Sequence, residues 1–103
     1  MAWSRVRRGV SIVVVTHRSA AVVGPFLDHL RRVAGPQDEI ILVDNGSDDG
    51  TLESLHPFAS ERPEARRVVA SPQNLGYAAA VNLGLHYVDR GFVALLHPDV
   101  LPA

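Results

Sequence analysis

Apolar residues along the chain fall into four continuous runs, separated by segments of mixed polarity. The runs are VSIVVVTH (10–17), IILVDN (40–45), RRVVAS (66–71) and FVALLHPDV (92–100). Continuous runs rich in Val and Ile are typical of strands covered on both faces, as in parallel sheets. The pattern therefore predicts four strands, and the third, which is shorter, is predicted to lie toward a sheet edge.

The segment between the first two runs has its apolar residues at helical spacing. Ser19 is its predicted N-cap, and Pro25 predicts a helix that either starts late or is kinked at that residue. The predicted apolar face comprises Val22, Val23, Phe26, Leu27, Leu30 and Val33.

A short second helix is predicted after GSDDGT, with Asp48 or Asp49 as its cap. A polar, proline-marked loop is predicted over 56–65, and an Ala-rich third helix over 76–88. Strands and helices then alternate as β-α-β-α-β-α-β. This order predicts an α/β fold, a Rossmann-like three-layer parallel sheet with helices on both faces. Residues 1–9 are predicted to form an N-terminal tail ahead of it.

The composition narrows the chemistry. A chain of 103 residues is at most one domain, and its net charge of −1 gives no electrostatic reason to expect a nucleic acid partner. All ten basic residues are Arg, which excludes mechanisms that need a lysine, and the absence of Cys excludes thiolate catalysis. The run VSIVVV is too short for an export signal or a membrane span, which predicts a cytoplasmic protein.

Polar residues end three of the four predicted strands, at 16–18, 44–45 and 97–99. In open parallel sheets, ligands bind outside the carboxyl ends of the strands. All three groups are therefore predicted to lie along one rim of the sheet. The sequence contains no G-x-G-x-x-G, G-x-x-x-x-G-K-[ST] or G-x-S-x-G motif. This argues against a dinucleotide-binding domain, a P-loop NTPase and a nucleophile elbow.

Each candidate residue at this rim has a structural and a chemical interpretation. His97 and Asp99 are two residues apart on an extended segment, so their side chains point the same way, and a carboxylate there could hold Mg²⁺ or Mn²⁺. Asp99 also follows a proline and could simply form a turn. Asp44 could cap the next turn or accept hydrogen bonds from a ligand. Asn74 could be an N-cap, whereas Asn82 has less structural reason to lie within a helix.

Four segments, in matching order and spacing, resemble the N-terminal half of a family 2 glycosyltransferase with the GT-A fold. They are VSIVVVTHRSAAVVGPFLDHL, EIILVDNGSDDGT, SPQNLGYAAAVNLGL and VALLHPDV. The pieces DNGSDDGT and NLGYAAAVNLGL are most similar to the rhamnosyltransferase-like branch. The resemblance implies that residues 10–103 are the donor-binding portion of such an enzyme, truncated after its metal motif.

The resemblance also implies roles for individual residues. Thr16 would line the nucleotide pocket, Asp44 would contact the base, and Asn82 would lie near the diphosphate. The segment 74–76 would wall the nucleotide, so the implied nucleotide-sugar-binding residues are Thr16, Asp44, Asn74, Gly76 and Asn82.

Asp99 matches the last acidic residue of the family's D-x-D metal motif, so the resemblance implies an Mn²⁺ or Mg²⁺ cofactor. The chain departs from the family pattern at two positions. His97 stands where many members have Asp or Asn, which makes it a second candidate ligand and puts the metal affinity in question. Val81 stands where many members have Arg, which removes a phosphate contact.

The implied function is transfer of a sugar, with inversion, from a dTDP- or UDP-sugar to a glycan or lipid-linked acceptor in cell-surface polysaccharide biosynthesis. The catalytic base is expected beyond Ala103, and the full-length protein is expected at the inner face of the membrane as a peripheral protein. The alternative is a non-catalytic nucleotide-sugar-binding fragment that needs a missing C-terminal half. The fourth strand is expected to expose Val93 and Leu95 at an unpaired edge, which favours self-association.

Overall fold

The computed structural model describes residues 7–98 as a single four-stranded sheet with three helices. In chain order the elements are β1 (Arg7–Thr16), α1 (Ala20–Val33), β2 (Glu39–Asn45), α2 (Thr51–Glu61), β3 (Arg66–Ser71), α3 (Tyr77–Leu85) and β4 (Arg90–Leu96). All neighbouring strands are parallel, in the order β3-β2-β1-β4. The predicted α/β fold is confirmed, and so is the position of β3 at an edge.

Side chains from β1 and β2 alternate between two hydrophobic cores, because successive strand residues point to opposite faces. The core beneath α1 and α2 contains Ile12, Val14, Val23, Phe26, Leu27, Leu30, Ile40, Leu42, Leu55 and Phe58. The smaller core beneath α3 contains Val13, Val15, Ile41, Val43 and Ala80. Even-numbered positions of these two strands therefore face α1 and α2, and odd-numbered positions face α3. Burying each large apolar side chain contributes about 2 kcal/mol.

Helix α3 lies very close to the sheet at Gly84. A Cβ atom at this position would lie 2.8 Å from Val13 Cγ1 and 2.9 Å from Val43 Cγ2. Only glycine fits that approach without moving the two valines. The close packing fixes α3 over β1 and β2, and hence fixes the loop that precedes it.

Helix α1 starts at Ala20, directly after Ser19, so it does not start late. Four of the six predicted apolar residues are buried, whereas Val22 and Val33 are exposed. Pro25 lies inside the helix on an exposed face.

Helix α2 continues to Glu61, so the loop predicted over 56–65 is wrong for its first six residues. Leu55 and Phe58 are fully buried, and their spacing extends the apolar face of the helix past Pro57, which is exposed. The guanidinium groups of Arg31 and Arg66 also cover the Phe58 ring, at 5.1 and 4.0 Å from its centroid. Packing of this face outweighs the proline signal.

The bounds of two strands differ from the prediction, since β4 begins at Arg90 and ends at Leu96, before the predicted rim residue His97. Strand β1 begins at Arg7, so residues 7–9 of the predicted tail belong to the sheet. Strand β4 exposes 75% of Phe92, 44% of Val93 and 49% of Leu95, which confirms the expected apolar edge. No helix within residues 7–98 is long and apolar enough to cross a membrane.

Candidate functional site

The strand order reverses between β1 and β4, since β2 and β3 lie on the opposite side of β1. Open α/β sheets bind ligands at such a switch point, outside the carboxyl ends of the strands. A cleft of about 240 Å³ lies there. Its lining residues are Val15, His17, Asn45, Asn74, Gly76, Tyr77 and His97.

A larger cleft of about 440 Å³ lies at the opposite, amino end of the sheet, with four arginines in its lining. Most of these guanidinium groups already have carboxylate partners. Arg90 pairs with Glu39 and Asp89, Arg62 pairs with Glu64, and Arg7 pairs with Asp89. The smaller cleft is therefore the better candidate, because it lies at the switch point and contains predicted site residues.

Thr16 and Asp44 lie at the same rim but on the other face of the sheet, toward α1 and α2. The Thr16 hydroxyl donates to Asp44 Oδ1 at 2.9 Å. Ser47 donates to the same carboxylate twice, from its hydroxyl at 2.6 Å and from its backbone N–H at 3.1 Å. Thr16 and Asp44 are 0% and 1% exposed, so their polar groups are used within the protein. Their roles in nucleotide binding stay predictions.

Asp49 connects the first turns of two helices. Its Oδ2 accepts from the N–H of Ala20 at 3.2 Å, and its Oδ1 accepts from the N–H and hydroxyl of Thr51 at 3.2 and 2.5 Å. These bonds, the Thr51 hydroxyl first, lower the pKa of the Asp49 carboxyl. Gly50 occupies the N-cap position of α2, with a φ of 93°. Asp48 instead pairs with Arg18 at 3.1 Å, so Asp49 is the residue that serves the helix start.

Asn45 holds the wall of the cleft in place. Its Nδ2 donates to Asn74 Oδ1 at 2.9 Å and to the Gly76 carbonyl at 3.4 Å. Its Oδ1 accepts from the N–H of Leu75 at 2.8 Å. The side chain is almost completely buried. The sequence marked Asn45 only as a rim residue, because its partners lie about 30 positions away along the chain.

Gly46 allows this wall to approach the end of β2. Its φ is +74°, and a Cβ atom there would lie 2.5 Å from the carbonyl carbon of Gln73 and 2.6 Å from the N of Asn74. Both neighbours are backbone atoms, which cannot move aside as a flexible side chain can. A glycine is therefore required where segment 73–76 packs against the turn after β2.

Two imidazole rings lie in the cleft. His17 Nδ1 is 2.7 Å from the carbonyl oxygen of Asn45. A carbonyl oxygen can only accept, so Nδ1 carries the proton and Nε2 of the neutral ring is an acceptor. The ring of His97 lies 6.4 Å from that of Tyr77, centroid to centroid.

The structure thus brings together three of the predicted site residues, namely Asn74, Gly76 and His97. Asn82 is exposed on α3, where its carbonyl accepts from His86 Nδ1 at 2.8 Å, and it is not part of the cleft lining. Its predicted place near the diphosphate is untested. Asp99 lies outside the described residues.

The rim carries net negative charge. Its described segments, 16–18, 44–51, 71–77 and 97–98, contain three carboxylates and one guanidinium, that of Arg18. A nucleoside diphosphate would add further negative charge at this rim. A cation that accompanied it would offset the repulsion.

The cleft could supply some of the ligands of a cation, but not all of them. Within residues 7–98, no three His, Asp or Glu side chains are grouped as a metal site. The cleft lining offers the imidazoles of His17 and His97. Cations that bind with nucleotides commonly take one or two protein ligands and complete their shell with phosphate oxygens and water. The residues present are compatible with that arrangement.

Comparison with known proteins places these features in a family. Residues 11–103 match the model of the glycosyl transferase family 2. The chain is 30% identical over 94 residues to a dodecaprenyl-phosphate galacturonate synthase of Rhizobium johnstonii, covering 88% of this chain and 28% of that protein. It is 32% identical over 89 residues to a PGL/p-HBAD biosynthesis glycosyltransferase of Mycobacterium bovis, covering 86% and 34%.

A solved structure of another glycosyltransferase is also similar to this chain. The mannosyltransferase PcManGT of Pyrobaculum calidifontis, in complex with GDP-Man and Mn²⁺, superposes with a TM-score of 0.82 at 27% identity. The match covers 94% of this chain and 29% of that one. The chain therefore spans about a third or less of the length of the proteins it matches. On its motifs, its sheet and its match over residues 11–103, the chain belongs to the glycosyl transferase family 2.

Proposed function

We propose that the cleft binds a nucleoside-diphosphate sugar, and that the chain is the donor-binding portion of an inverting glycosyltransferase. The position of the cleft carries this proposal. It lies at the switch point of a family 2 sheet, between the 74–76 wall and His97. The structural neighbour in complex with GDP-Man and Mn²⁺ supports the same ligand class.

Residues of the cleft would act mainly by positioning the donor. Asn45 fixes the 74–76 segment through three hydrogen bonds, so the wall is formed before a ligand arrives. Tyr77 begins α3 and lines the cleft, so the first turn of α3 offers backbone N–H groups and the positive end of the helix dipole to a phosphate. Preorganised donors of this kind favour an anionic leaving group.

Asp99 and His97 are the proposed protein ligands of a divalent cation, Mn²⁺ or Mg²⁺. When bound, such a cation would stabilise the charge that develops on the departing diphosphate. The described rim is negatively charged, and its one guanidinium, that of Arg18, is already paired with Asp48. A bound cation would therefore offset the repulsion between the rim and a diphosphate. The base that inversion requires is expected beyond Ala103.

The donor is proposed to be a dTDP- or UDP-sugar, with rhamnose suggested by the likeness of DNGSDDGT and NLGYAAAVNLGL to one branch of the family. The acceptor is proposed to be a glycan or a lipid-linked sugar in cell-surface polysaccharide synthesis. A relative named as a dodecaprenyl-phosphate galacturonate synthase supports a lipid acceptor. The proposed location of the whole protein is the cytoplasm, at the inner face of the membrane.

Calorimetric titration of UDP, dTDP and GDP into the chain, with and without Mn²⁺, tests donor binding. We expect binding that requires Mn²⁺ and is at least about tenfold weaker in Asp99→Ala, because a cation ligand is lost. Asp48→Ala is the matched control, since Asp48 is an exposed carboxylate at the same rim and outside the cleft. Absence of binding by all three nucleotides would overturn the proposal.

A second experiment separates the enzyme from its alternative, a non-catalytic nucleotide-sugar-binding fragment. This alternative is kept because the chain spans about a third or less of its relatives. Slow release of UDP from a UDP-sugar by the 103-residue chain, abolished in Asp99→Ala, would support chemistry at this site. Because the base is expected beyond Ala103, the same assay is repeated with the full-length protein, and binding without any release there would favour the alternative.

The apolar edge of β4 is proposed to pair with a second copy of the chain. Phe92, Val93 and Leu95 are exposed there, and the strand has no charged residue after Arg90 to prevent pairing. Sedimentation velocity over a wide concentration range should show association that Phe92→Arg abolishes. Val33→Arg is the control, because Val33 is also exposed but lies on α1. A monomer at every concentration would contradict this proposal.

A further inference from the structure

We propose that the aromatic ring of Tyr77 stacks on the nucleobase of the donor, so that the cleft takes the nucleoside end of the ligand. This role extends the proposed function and depends on it, because it requires a nucleotide in the cleft. The resemblance gives roles to Asn74 and Gly76 in the same segment but none to Tyr77.

The Tyr77 ring is a large apolar surface that the protein leaves uncovered. The residue is 52% exposed, although it lines the cleft. Within residues 7–98, neither hydrophobic core includes it. The ring of His97 lies 6.4 Å away and is tilted by 43°, so the two rings are not stacked face to face. A flat aromatic face therefore remains available to a ligand in the cleft.

The position of Tyr77 in the chain holds it at the cleft before a ligand binds. Tyr77 is the first residue of α3 and directly follows Gly76, the last residue of the wall. Asn45 Nδ2 donates to the Gly76 carbonyl, and the packing of Gly84 against the sheet fixes the helix itself. The next three residues are alanines, so Tyr77 has the one large side chain in the first turn of α3.

The lining of the cleft suits a nucleobase better than a diphosphate. The described residues that line it include no carboxylate and no guanidinium. A nucleobase is uncharged and planar and can cover an aromatic ring, whereas this lining has no opposite charge for a diphosphate. The diphosphate would then lie toward the end of β4, where the cation is proposed. Because every base has a π-face, stacking on Tyr77 should strengthen nucleotide binding without selecting one base.

Titration of UDP, dTDP and GDP into the 103-residue chain with Mn²⁺ tests the stacking. We expect the affinity for each nucleotide to fall about tenfold in Tyr77→Ala, because an aromatic face is lost. Tyr77→Leu, which keeps apolar bulk without a flat face, should bind about as weakly as Tyr77→Ala, whereas Tyr77→Phe should retain most of the affinity. Tyr87→Ala is the matched control. Tyr87 is also exposed, but it lies beyond the other end of α3, outside the cleft lining, with Arg67 over its ring at 4.6 Å.

Proton NMR of the tyrosine rings supplies a readout that a merely structural role of Tyr77 would not change. The ring protons of Tyr77 should move upfield when GDP binds with Mg²⁺, which is diamagnetic, because the ring current of a stacked base shields them. The ring protons of Tyr87 should not move. The far-UV circular dichroism of Tyr77→Ala should match that of the wild type, since Tyr77 belongs to neither core.

Stacking and donor binding fail in different ways. Wild-type affinity in Tyr77→Ala, an equal loss in Tyr77→Phe, or unshifted Tyr77 resonances in a chain that binds GDP would each overturn the stacking and leave donor binding intact. A wild-type chain that binds none of the three nucleotides would overturn donor binding itself. Affinity that falls in Tyr77→Ala and is kept in Tyr77→Phe, together with the upfield shift, would support both.

Discussion

The two faces of the sheet's carboxyl-end rim differ in what their polar residues do. On the face toward α1 and α2, Thr16, Asp44 and Ser47 bond to one another, and the first two are buried. On the face toward α3, His17 and Asn45 border an open cleft. One face is closed by its own hydrogen bonds, whereas the other borders an open cleft in which the His17 side chain is exposed.

Strand alternation explains how adjacent residues come to serve these separate purposes. Asp44 and Asn45 are consecutive at the end of β2, so their side chains point to opposite faces. Asp44 stabilises the turn on one side, and Asn45 fixes the cleft wall on the other. The excess of polar residues in DNGSDDGT is therefore divided between structure and site. Three changes test this division.

Asp44→Ala should have the largest effect, lowering the free energy of unfolding by about 3 kcal/mol. The change removes the main acceptor of the buried Thr16 hydroxyl, which keeps only a long bond of 3.5 Å to the Val43 carbonyl, and the acceptor of both Ser47 donors, which are half-buried. Asp48→Ala, on the exposed part of the same turn, should change it by no more than about 0.5 kcal/mol. Urea unfolding followed by circular dichroism measures both. Wild-type stability in Asp44→Ala, combined with lost nucleotide affinity, would show that Asp44 is a ligand residue instead.

Asn45→Ala should lower stability less, by about 1–2 kcal/mol, and should weaken nucleotide binding about tenfold, because the 74–76 wall is no longer held. Amide exchange at Leu75 should quicken, since its N–H loses the Asn45 Oδ1 acceptor. Asn45→Asp is the informative companion. It keeps that acceptor but places a carboxylate oxygen against two other acceptors, Asn74 Oδ1 and the Gly76 carbonyl. Exchange at Leu75 should therefore stay slow, while stability should fall at least as far as in Asn45→Ala. Identical nucleotide affinity in all three proteins would remove Asn45 from the site.

Lowering the pH should reduce the stability that the Asp49 carboxylate contributes at the starts of α1 and α2. Its pKa in the folded protein lies below the ordinary value of 3.8, so its stabilising contribution is complete above that pH and is lost as the pH falls through the folded value. Unfolding midpoints of wild type and Asp49→Ala should therefore converge below about pH 4. Glu61, whose pKa its bonds to Arg31 and Arg66 lower to about 2, contributes equally to both proteins and cancels. A constant difference between the two at every pH would contradict the role of the carboxylate.

The sequence predicted the sheet well because continuous apolar runs are a local signal that packing reinforces. All four strands, the buried face of α1 and the apolar edge of β4 follow from it. It failed at 56–61, where Pro57 suggested a loop. Proline is tolerated there on an exposed face, and burial of Phe58 continues the helix.

The site was harder to predict because its geometry depends on residues distant in the chain. The partners of Asn45 lie about 30 positions further along the chain, and nothing in the neighbouring sequence distinguishes its role from that of Asp44. The alternation of a strand is the signal that could have assigned the two residues to different faces. Asp99, the residue on which the metal prediction depends most, lies outside residues 7–98 and stays a prediction.

The carboxylate that Asp49 shares between the first residues of α1 and α2 has a mechanical consequence. We expect the starts of these two helices to move together, so this side of the rim should not change when a donor binds. The effect of a donor should instead appear on the other side, as added protection of the segment that Asn45 already holds in place before α3. Hydrogen exchange with and without nucleotide would reveal the asymmetry, with slowed amides at 74–77 and unchanged amides at 20–23. Equal slowing on both sides would mean that the rim closes as a whole.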